Sequence, residues 1–377
     1  MTVALRMVLD QLVSPTDADL AAASRCLARE LVAAAPEGCE VAAIVPAASG
    51  QQLETLNAEV SGLAGLHRAM LGRRELAGAW QIGAVSGIGG GMIHSPTLFA
   101  PLVRHDRVHD HDQTVVTLWD LDAWEVPGEL SRSTVGWHRA MLKRAAKHAD
   151  AVVVPTHAMA ARLGELARLT GRVRVIAGAP PISFTAPTDA AGRLRELTIP
   201  PLFVVLTASD GLAAGLTAAA EALAADSDLH AVVIGAAEGA EPAIADAAAA
   251  AGIPERRVHV RGVLEARDRA AVIGSARAIV AASRRSAFPW RVLEALQLGT
   301  PVVAAASPVH AEVILDGGLV VGDPQGELDA GELAAALVRT VTDDDAVKRL
   351  RVMATDRARA FSWRAAADRV WQLHADL

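Results

Sequence analysis

The hydrophobic residues of this chain fall into short, nearly continuous runs, separated by longer segments whose apolar positions recur at helical spacing. Residues 3–9 (VALRMVL) form the first run. The turn Ser14-Pro15-Thr16-Asp17 follows, and residues 18–34 then read as a helix with Asp17 placed to cap it. Runs at 41–45, 92–95, 114–120 and 151–154 predict further strands in the first half, with a helix over 137–148. In the second half, runs at 202–207, 231–235, 258–262, 278–281 and 300–306 predict strands, with helices from Leu212, over RVLEALQLG and from Phe361 to the last residue. Strands that alternate with helices and are apolar throughout belong to parallel sheets covered on both faces. The pattern therefore predicts an α/β fold with two doubly wound domains. Pro180, Pro181, Pro187, Pro200 and Pro201 mark the junction between them. The expected division is residues 1–185, residues 186–360 and a terminal helical segment, 361–377.

Composition narrows the function classes. A hydrophobic content of 52% in 377 residues provides a core for each of two domains. A net charge of −7 without a basic run argues against a nucleic-acid partner. Cys26 and Cys39 have neither metal-ligand spacing nor the density of a disulfide framework, so a reduced cytoplasm is the expected setting. The opening MTVALRMVLDQL is too short and polar for a signal peptide, and no run of roughly 18 apolar residues predicts a transmembrane segment. A peripheral membrane contact stays open. With 3% aromatic residues and no tyrosine, binding is expected to come mainly from backbone and polar groups.

Residues 281–308 (AASRRSAFPWRVLEALQLGTPVVAAASP) concentrate the candidate chemistry. A polar loop from Ser283 to Ser286 leads into a helix that Gly299 stops, and a buried strand follows. The start of that helix, near residues 288–292, suits an anion, because its N–H groups lack partners and the dipole is positive there. Glu294, read as lying on the first turn, is compatible with two roles. It complements the helix dipole on a solvated face, or it accepts two hydroxyl hydrogen bonds of the kind a ribose offers. The cluster Gly87-Ile88-Gly89-Gly90-Gly91 lacks a following Lys-Ser/Thr and precedes a strand, so it predicts a flexible turn rather than a phosphate cradle. The run His105-Asp106-Arg107-Val108-His109-Asp110-His111-Asp112 reads as a solvated loop rather than a metal centre. Only Asp120 and Asp122 form an Asp-x-Asp pair near a strand end, and no metal is expected to be required.

These segments together resemble the retaining GT-B glycosyltransferases of the family-four type, glycosyl transferase group 1. Phe288, Glu294, Ala295, Gly299, Thr300, Pro301, Val302 and Val303 fit that family's donor-site pattern, and Ser286 stands where its first glutamate belongs. Asp120 and Leu121 fit the family's Thr-Ile-His-Asp-Leu strand, with Trp119 in place of the histidine. Ala213 and Ala214 occupy the positions of its basic pair, and residues 11–25 lack the glycines of its first turn. The segments Ile93-His94-Ser95-Pro96, Val175-Ile176 with Gly178, Ser307 to Val313, Gly322-Asp323-Pro324 and Phe361-Ser362-Trp363 extend the resemblance over almost the whole chain.

The resemblance implies two Rossmann-like domains facing across a cleft, an acceptor-side N-terminal domain and a nucleotide-sugar-side C-terminal one. It also implies a terminal helix crossing back to the first domain. The implied activity is sugar transfer from a nucleotide sugar, with no cofactor beyond that donor. Donor binding would fall to Arg284, Arg285, Arg291, Glu294 and Gly235, while Trp119, Asp120 and Ser286 mark degenerate catalytic positions. Arg284, Arg285 and Arg291 are the cations that replace the lost basic pair. The alternative is a catalytically inactive homologue that binds and positions an active glycosyltransferase partner, or assembles with its own copies. A sugar-nucleotide epimerase on the same fold would need a cluster of acid and base groups that this sequence does not assemble.

Overall fold

Parallel strands buried on both faces need apolar residues throughout, and the short runs of this chain form them. The computed structural model describes residues 2–84, 87, 88, 90–326 and 328–377. The chain divides into two units, the first made of Met1–Ile182, Ser286–Phe288 and Phe361–Leu377, the second of Ser183–Arg285 and Pro289–Ala360.

Unit 1 contains β1 (Val3–Val8), β2 (Cys39–Val45), β3 (Gly65–Arg68), β4 (Met92–Ser95), β5 (Gln113–Thr117), β6 (Ala151–Val154) and β7 (Val173–Val175). They form one parallel sheet in the order β3-β2-β1-β4-β5-β6-β7. Leu5 pairs with Val41 on one side and Met92 on the other, which makes β1 central. The strand order reverses between β1 and β4, where doubly wound folds place ligands beyond the carboxyl ends of the strands.

Two expectations are corrected here. β3 (GLHR) is an additional edge strand, missed because its residues are largely exposed and show no apolar run. The strand expected over 114–120 ends at Thr117. Trp119 and Asp120 leave the sheet because their backbone partners lie elsewhere: Asp120 forms an antiparallel bridge with Ala287, and Phe288 N–H donates to Trp119 O at 2.8 Å.

Unit 2 contains β8 (Phe203–Thr207), β9 (His230–Ile234), β10 (Val258–Val260), β11 (Ile279–Ala281), β12 (Val302–Ala305) and β13 (Leu319–Val321), in the parallel order β10-β9-β8-β11-β12-β13. Its switch point lies between β8 and β11. The helices Leu212–Ala225 and Ala330–Thr342 pack together, and Ala218, Ala219, Ala222 and Ala336 lie buried in the core that they share, small side chains that let helix backbones approach. Gly318 shows the same tightness, since a Cβ there would lie 2.8 Å from Val302 O.

The terminal helix Trp363–Asp376 belongs to unit 1. Ser362 caps it by accepting from Ala365 N–H. It lies on the helix Ala18–Ala33, where Trp371 Nε1 donates to Leu31 O at 3.1 Å, and Trp363 Nε1 donates to Pro180 O at 2.9 Å. Among the described residues no helix is long and apolar enough to cross a membrane.

Candidate functional site

In unit 1, a cavity of about 990 Å³ opens beyond the carboxyl ends of β1, β4 and β5, at the switch point of the sheet. Segments following those strands contribute Gln11, Thr97 and Trp119, while the helices Arg73–Ile82 and Arg132–His148 contribute Arg73 and Trp137. Trp119, Trp124 and Trp137, three of the seven tryptophans, line this one cavity. Composition suggested few rings for stacking, but it carried no information on where the few would gather.

A polar network stands where the family pattern has its glycine loop. After β1 the chain makes one helical turn, Asp10–Val13, instead of an open loop. Asp10 is fully buried. Its Oδ2 accepts from Arg73 Nε and from Gln11 Nε2, both at 2.8 Å. Gln11 Oε1 in turn accepts from Thr16 N–H at 2.9 Å and Thr16 Oγ1 at 3.1 Å. Burial pushes the Asp10 carboxyl above its ordinary range, against the pull of the Arg73 guanidinium. Nothing in the local pattern marked Asp10 and Arg73 as partners. The only signal was an aspartate placed directly after an apolar strand.

The side chains or backbone of the three positions expected to be degenerate, Trp119, Asp120 and Ser286, have partners within the protein. Trp119 is buried, with Nε1 donating to Pro96 O at 2.8 Å and its ring 5.5 Å from that of Phe288 and 6.2 Å from that of Trp363. Gly178 makes room for it, because a Cβ there would come within 3.0 Å of the indole. An indole has one N–H donor, here already engaged, and no group that works as an acid or base near neutral pH. Asp120 Oδ1 accepts from Asp122 N–H at 3.1 Å. Ser286 belongs to unit 1, where its N–H donates to Glu125 Oε2 at 2.9 Å and its carbonyl accepts from Leu121 N–H at 3.2 Å.

The residues expected to bind a donor separate into four groups in unit 2. Glu294 is corrected on both counts. The helix runs Trp290–Gln297, so Glu294 lies past the first turn, and it is 2% exposed rather than solvated. Its carboxylate takes two bonds from Arg269 Nε, at 3.1 and 3.0 Å, and one from Nη2 at 2.9 Å. Arg291 Nη1 also donates to it. Glu294 is therefore held between Arg269 and Arg291 inside the unit, leaving no accessible carboxylate edge for a ribose.

Arg284 donates through Nη1 to Gly326 O and through Nη2 to Asp323 O and Pro324 O, which ties it to the segment after β13. Arg285 is different. It stands at the switch point with Nε 3.7 Å from Asp210 Oδ2, beside the turn after β8. Gly211 in that turn has φ +80°, and a Cβ there would lie 2.4 Å from Ala282 O. Only glycine allows this approach. Gly235 ends β9 one strand away, exposed, at φ +79°, with its N–H on Gly262 O at 3.1 Å.

Gly87, Gly90 and Gly91 all have positive φ, while Gly89 lies outside the described residues. Asp112 accepts from Gly91 N–H, and His109 pairs with Asp106 at 2.8 Å. His105 faces two acceptors, Val103 O at 2.9 Å and Asp150 Oδ2 at 2.8 Å, and the Asp150 bond raises its pKa. This run is therefore tied into loops. Among the described residues, no group of three or more His, Cys, Asp or Glu is placed to hold a metal ion.

Residues 203–343 match the family model described as Glycosyl transferases group 1. No match is found by sequence among curated proteins. Solved structures similar over the whole chain include sucrose-phosphate synthase from Thermosynechococcus elongatus, 19% identical with TM-score 0.68, covering 99% of this chain and 98% of that one. HepE from Anabaena, solved in complex with UDP and glucose, is 18% identical with TM-score 0.69, covering 100% of both chains. A glycosyltransferase from Rickettsia africae is 13% identical with TM-score 0.64, covering 100% and 98%. Two parallel α/β sheets and these likenesses give the chain the GT-B fold, and its residues 203–343 match the glycosyl transferases group 1 model.

Proposed function

We propose that the chain transfers a sugar from a nucleotide sugar, held by unit 2, to an acceptor held in the cavity of unit 1. One observation carries this reading. The segment matching glycosyl transferases group 1 brings the Gly211 turn, the start of the helix Leu212–Ala225 and Arg285 to the switch point of its sheet. A helix N-terminus and a cation suit a diphosphate there. In transfer, the bond from the donor's anomeric carbon to phosphate breaks and a bond to an acceptor hydroxyl forms, while the hydroxyl proton leaves with the nucleoside diphosphate. Arg285 stabilises the charge that develops on that leaving group. A related structure, HepE, holds UDP and glucose, which supports the donor class. The reading includes a cytoplasmic setting and no resident cofactor, and Cys26 is a buried free thiol in keeping with that setting.

Trp119, with its N–H on Pro96 O, and the alanines at 213 and 214 favour a second reading. In it the protein binds the same ligands without turnover and positions an active glycosyltransferase, or assembles with its own copies. Incubation with UDP-, GDP- and ADP-sugars and a panel of acceptors, followed by detection of released nucleoside diphosphate and glycosylated product, separates the two. Product that disappears in Arg285→Ala supports transfer. Ligand-dependent stabilisation without product supports the binding subunit, and neither signal removes both readings.

A further inference from the structure

We propose that the ligand of the unit 1 cavity is an anionic sugar, a phosphate ester or a carboxylate, gripped by the two terminal amino groups of Arg73. The proposal rests on the reading of unit 1 as the acceptor side and names the acceptor's class. Arg73 uses only part of its hydrogen-bonding capacity within the protein. Its Nε donates to Asp10 Oδ2 at 2.8 Å, and its guanidinium lies over the Phe99 ring with 5.0 Å to the centroid. Phe99 is itself fixed, with its ring 4.5 Å from that of Trp80. Among the described residues no acceptor meets Nη1 or Nη2, and Arg73 lines the cavity.

Arg269 shows what this protein does with a purely structural arginine. There Nε and Nη2 meet the same carboxylate and Nη1 takes Leu264 O, so every nitrogen is occupied. At Arg73 the buried carboxylate holds one nitrogen, the phenyl ring sets the plane, and the outer edge of the fork is left for a ligand. Two N–H groups in a fixed plane match two oxygens of a phosphate or carboxylate, with little orientation left to lose on binding. Asp10 is fixed in turn by Gln11, which Thr16 pins, so the network is rigid to its second layer. Arg74 also lines the cavity and adds positive charge. Asp17 and Asp120 line it as well, but Asp17 accepts from the N–H groups of Asp19 and Leu20, and Asp120 accepts from that of Asp122. Trp124 and Trp137 line it too, and indole rings can stack on a pyranose.

The test is a calorimetric titration of the full chain, without any nucleotide, using glucose 6-phosphate, glucuronate and glucose. The expected result is binding of one or both anions about tenfold or more tighter than neutral glucose, since charge-assisted bonds contribute about 1.5–3 kcal/mol. Phosphate preferred over carboxylate, or the reverse, identifies the group. Arg73→Lys keeps a counter-charge for Asp10 but loses the planar fork, so it is expected to lose that preference at a near-native melting temperature. Should Arg73→Lys fold poorly, Asp10→Asn with Arg73→Gln removes the buried pair together and carries the same expectation. Equal affinity for charged and neutral sugars, no binding of either anion, or an unchanged preference in the folded variant overturns the proposal. Because no donor is present, failure to bind nucleotide sugars would count against the transfer reading and leave this result standing.

Discussion

Replacing Glu294 by alanine separates a structural carboxylate from a ligand-binding one. The side chain is 2% exposed, and its partner Arg269 has a side chain 12% exposed. Three bonds from Arg269 and one from Arg291 converge on the two oxygens. Removing one member of a buried pair costs about 3–5 kcal/mol, because the remaining charge stays desolvated. Arg269 keeps its bond to Leu264 O and its place 5.5 Å from the centroid of the Phe184 ring, which argues for the lower end, about 3 kcal/mol. For a unit of this size that lowers the melting temperature of unit 2 by roughly 6–12 °C. Thermal unfolding combined with hydrogen exchange on the helices Trp290–Gln297 and Ala266–Ser275 reads the effect on unit 2 directly. Glu294→Gln should fall between the two, and Arg269→Ala should add little once Glu294 is already alanine. If Glu294→Ala unfolds within about 1 kcal/mol of the parent while nucleotide binding disappears, the carboxylate is a ribose ligand and the structural argument fails.

Acid should weaken unit 1 through its buried histidine pair. His94 Nδ1 lies 3.3 Å from His374 Nε2, and His374 Nδ1 lies 2.9 Å from Gln113 Oε1, an order in which His374 donates through Nδ1 and accepts through an unprotonated Nε2. Burial lowers both pKa values, that of His374 to about 4 with Asp150 opposing the shift, so the unfolded chain takes up protons first. This contribution is complete above about pH 6.5 and falls by roughly 1.4 kcal/mol per pH unit toward pH 4, about 3 kcal/mol for His374 alone; a flat urea-unfolding profile across that window would contradict it. Gly211→Ala should cost more than Gly235→Ala, about 2 kcal/mol or more against about 1, because both have positive φ but only position 211 meets a carbonyl at 2.4 Å; equal unfolding midpoints for the two variants would count against that packing. Ser286→Glu should give no turnover above that of the parent, since the backbone of residue 286 already holds Glu125 and a second carboxylate there would be repelled; faster product formation in the variant would show otherwise.

The parts of the fold readable from sequence were those fixed locally. Asp17 does cap its helix, accepting from Asp19 and Leu20 N–H, because capping needs only neighbours in the chain. The strands β1, β6 and β12 follow their apolar runs for the same reason. What could not be read was set by partners far along the chain. Trp119 and Asp120 continue an apolar run, yet they leave the sheet for Ala287 and Phe288. Glu294 has the spacing of a solvated helix residue and is buried by Arg269 from another helix. The candidate cavity depends on Asp10 meeting Arg73 across 63 positions, a pairing that neither periodicity nor motif encodes.

The central claim is that unit 2 holds a nucleotide sugar at its switch point, beside Arg285 and Gly211, and not at Glu294. Calorimetric titration of UDP-, GDP- and ADP-glucose into the parent chain and into Arg285→Ala tests it most directly. The account predicts saturable binding of at least one of these to the parent and affinity about tenfold or more weaker in Arg285→Ala, the loss of one charge-assisted contact to phosphate. Absence of binding by all three, or parental affinity in Arg285→Ala, would contradict it.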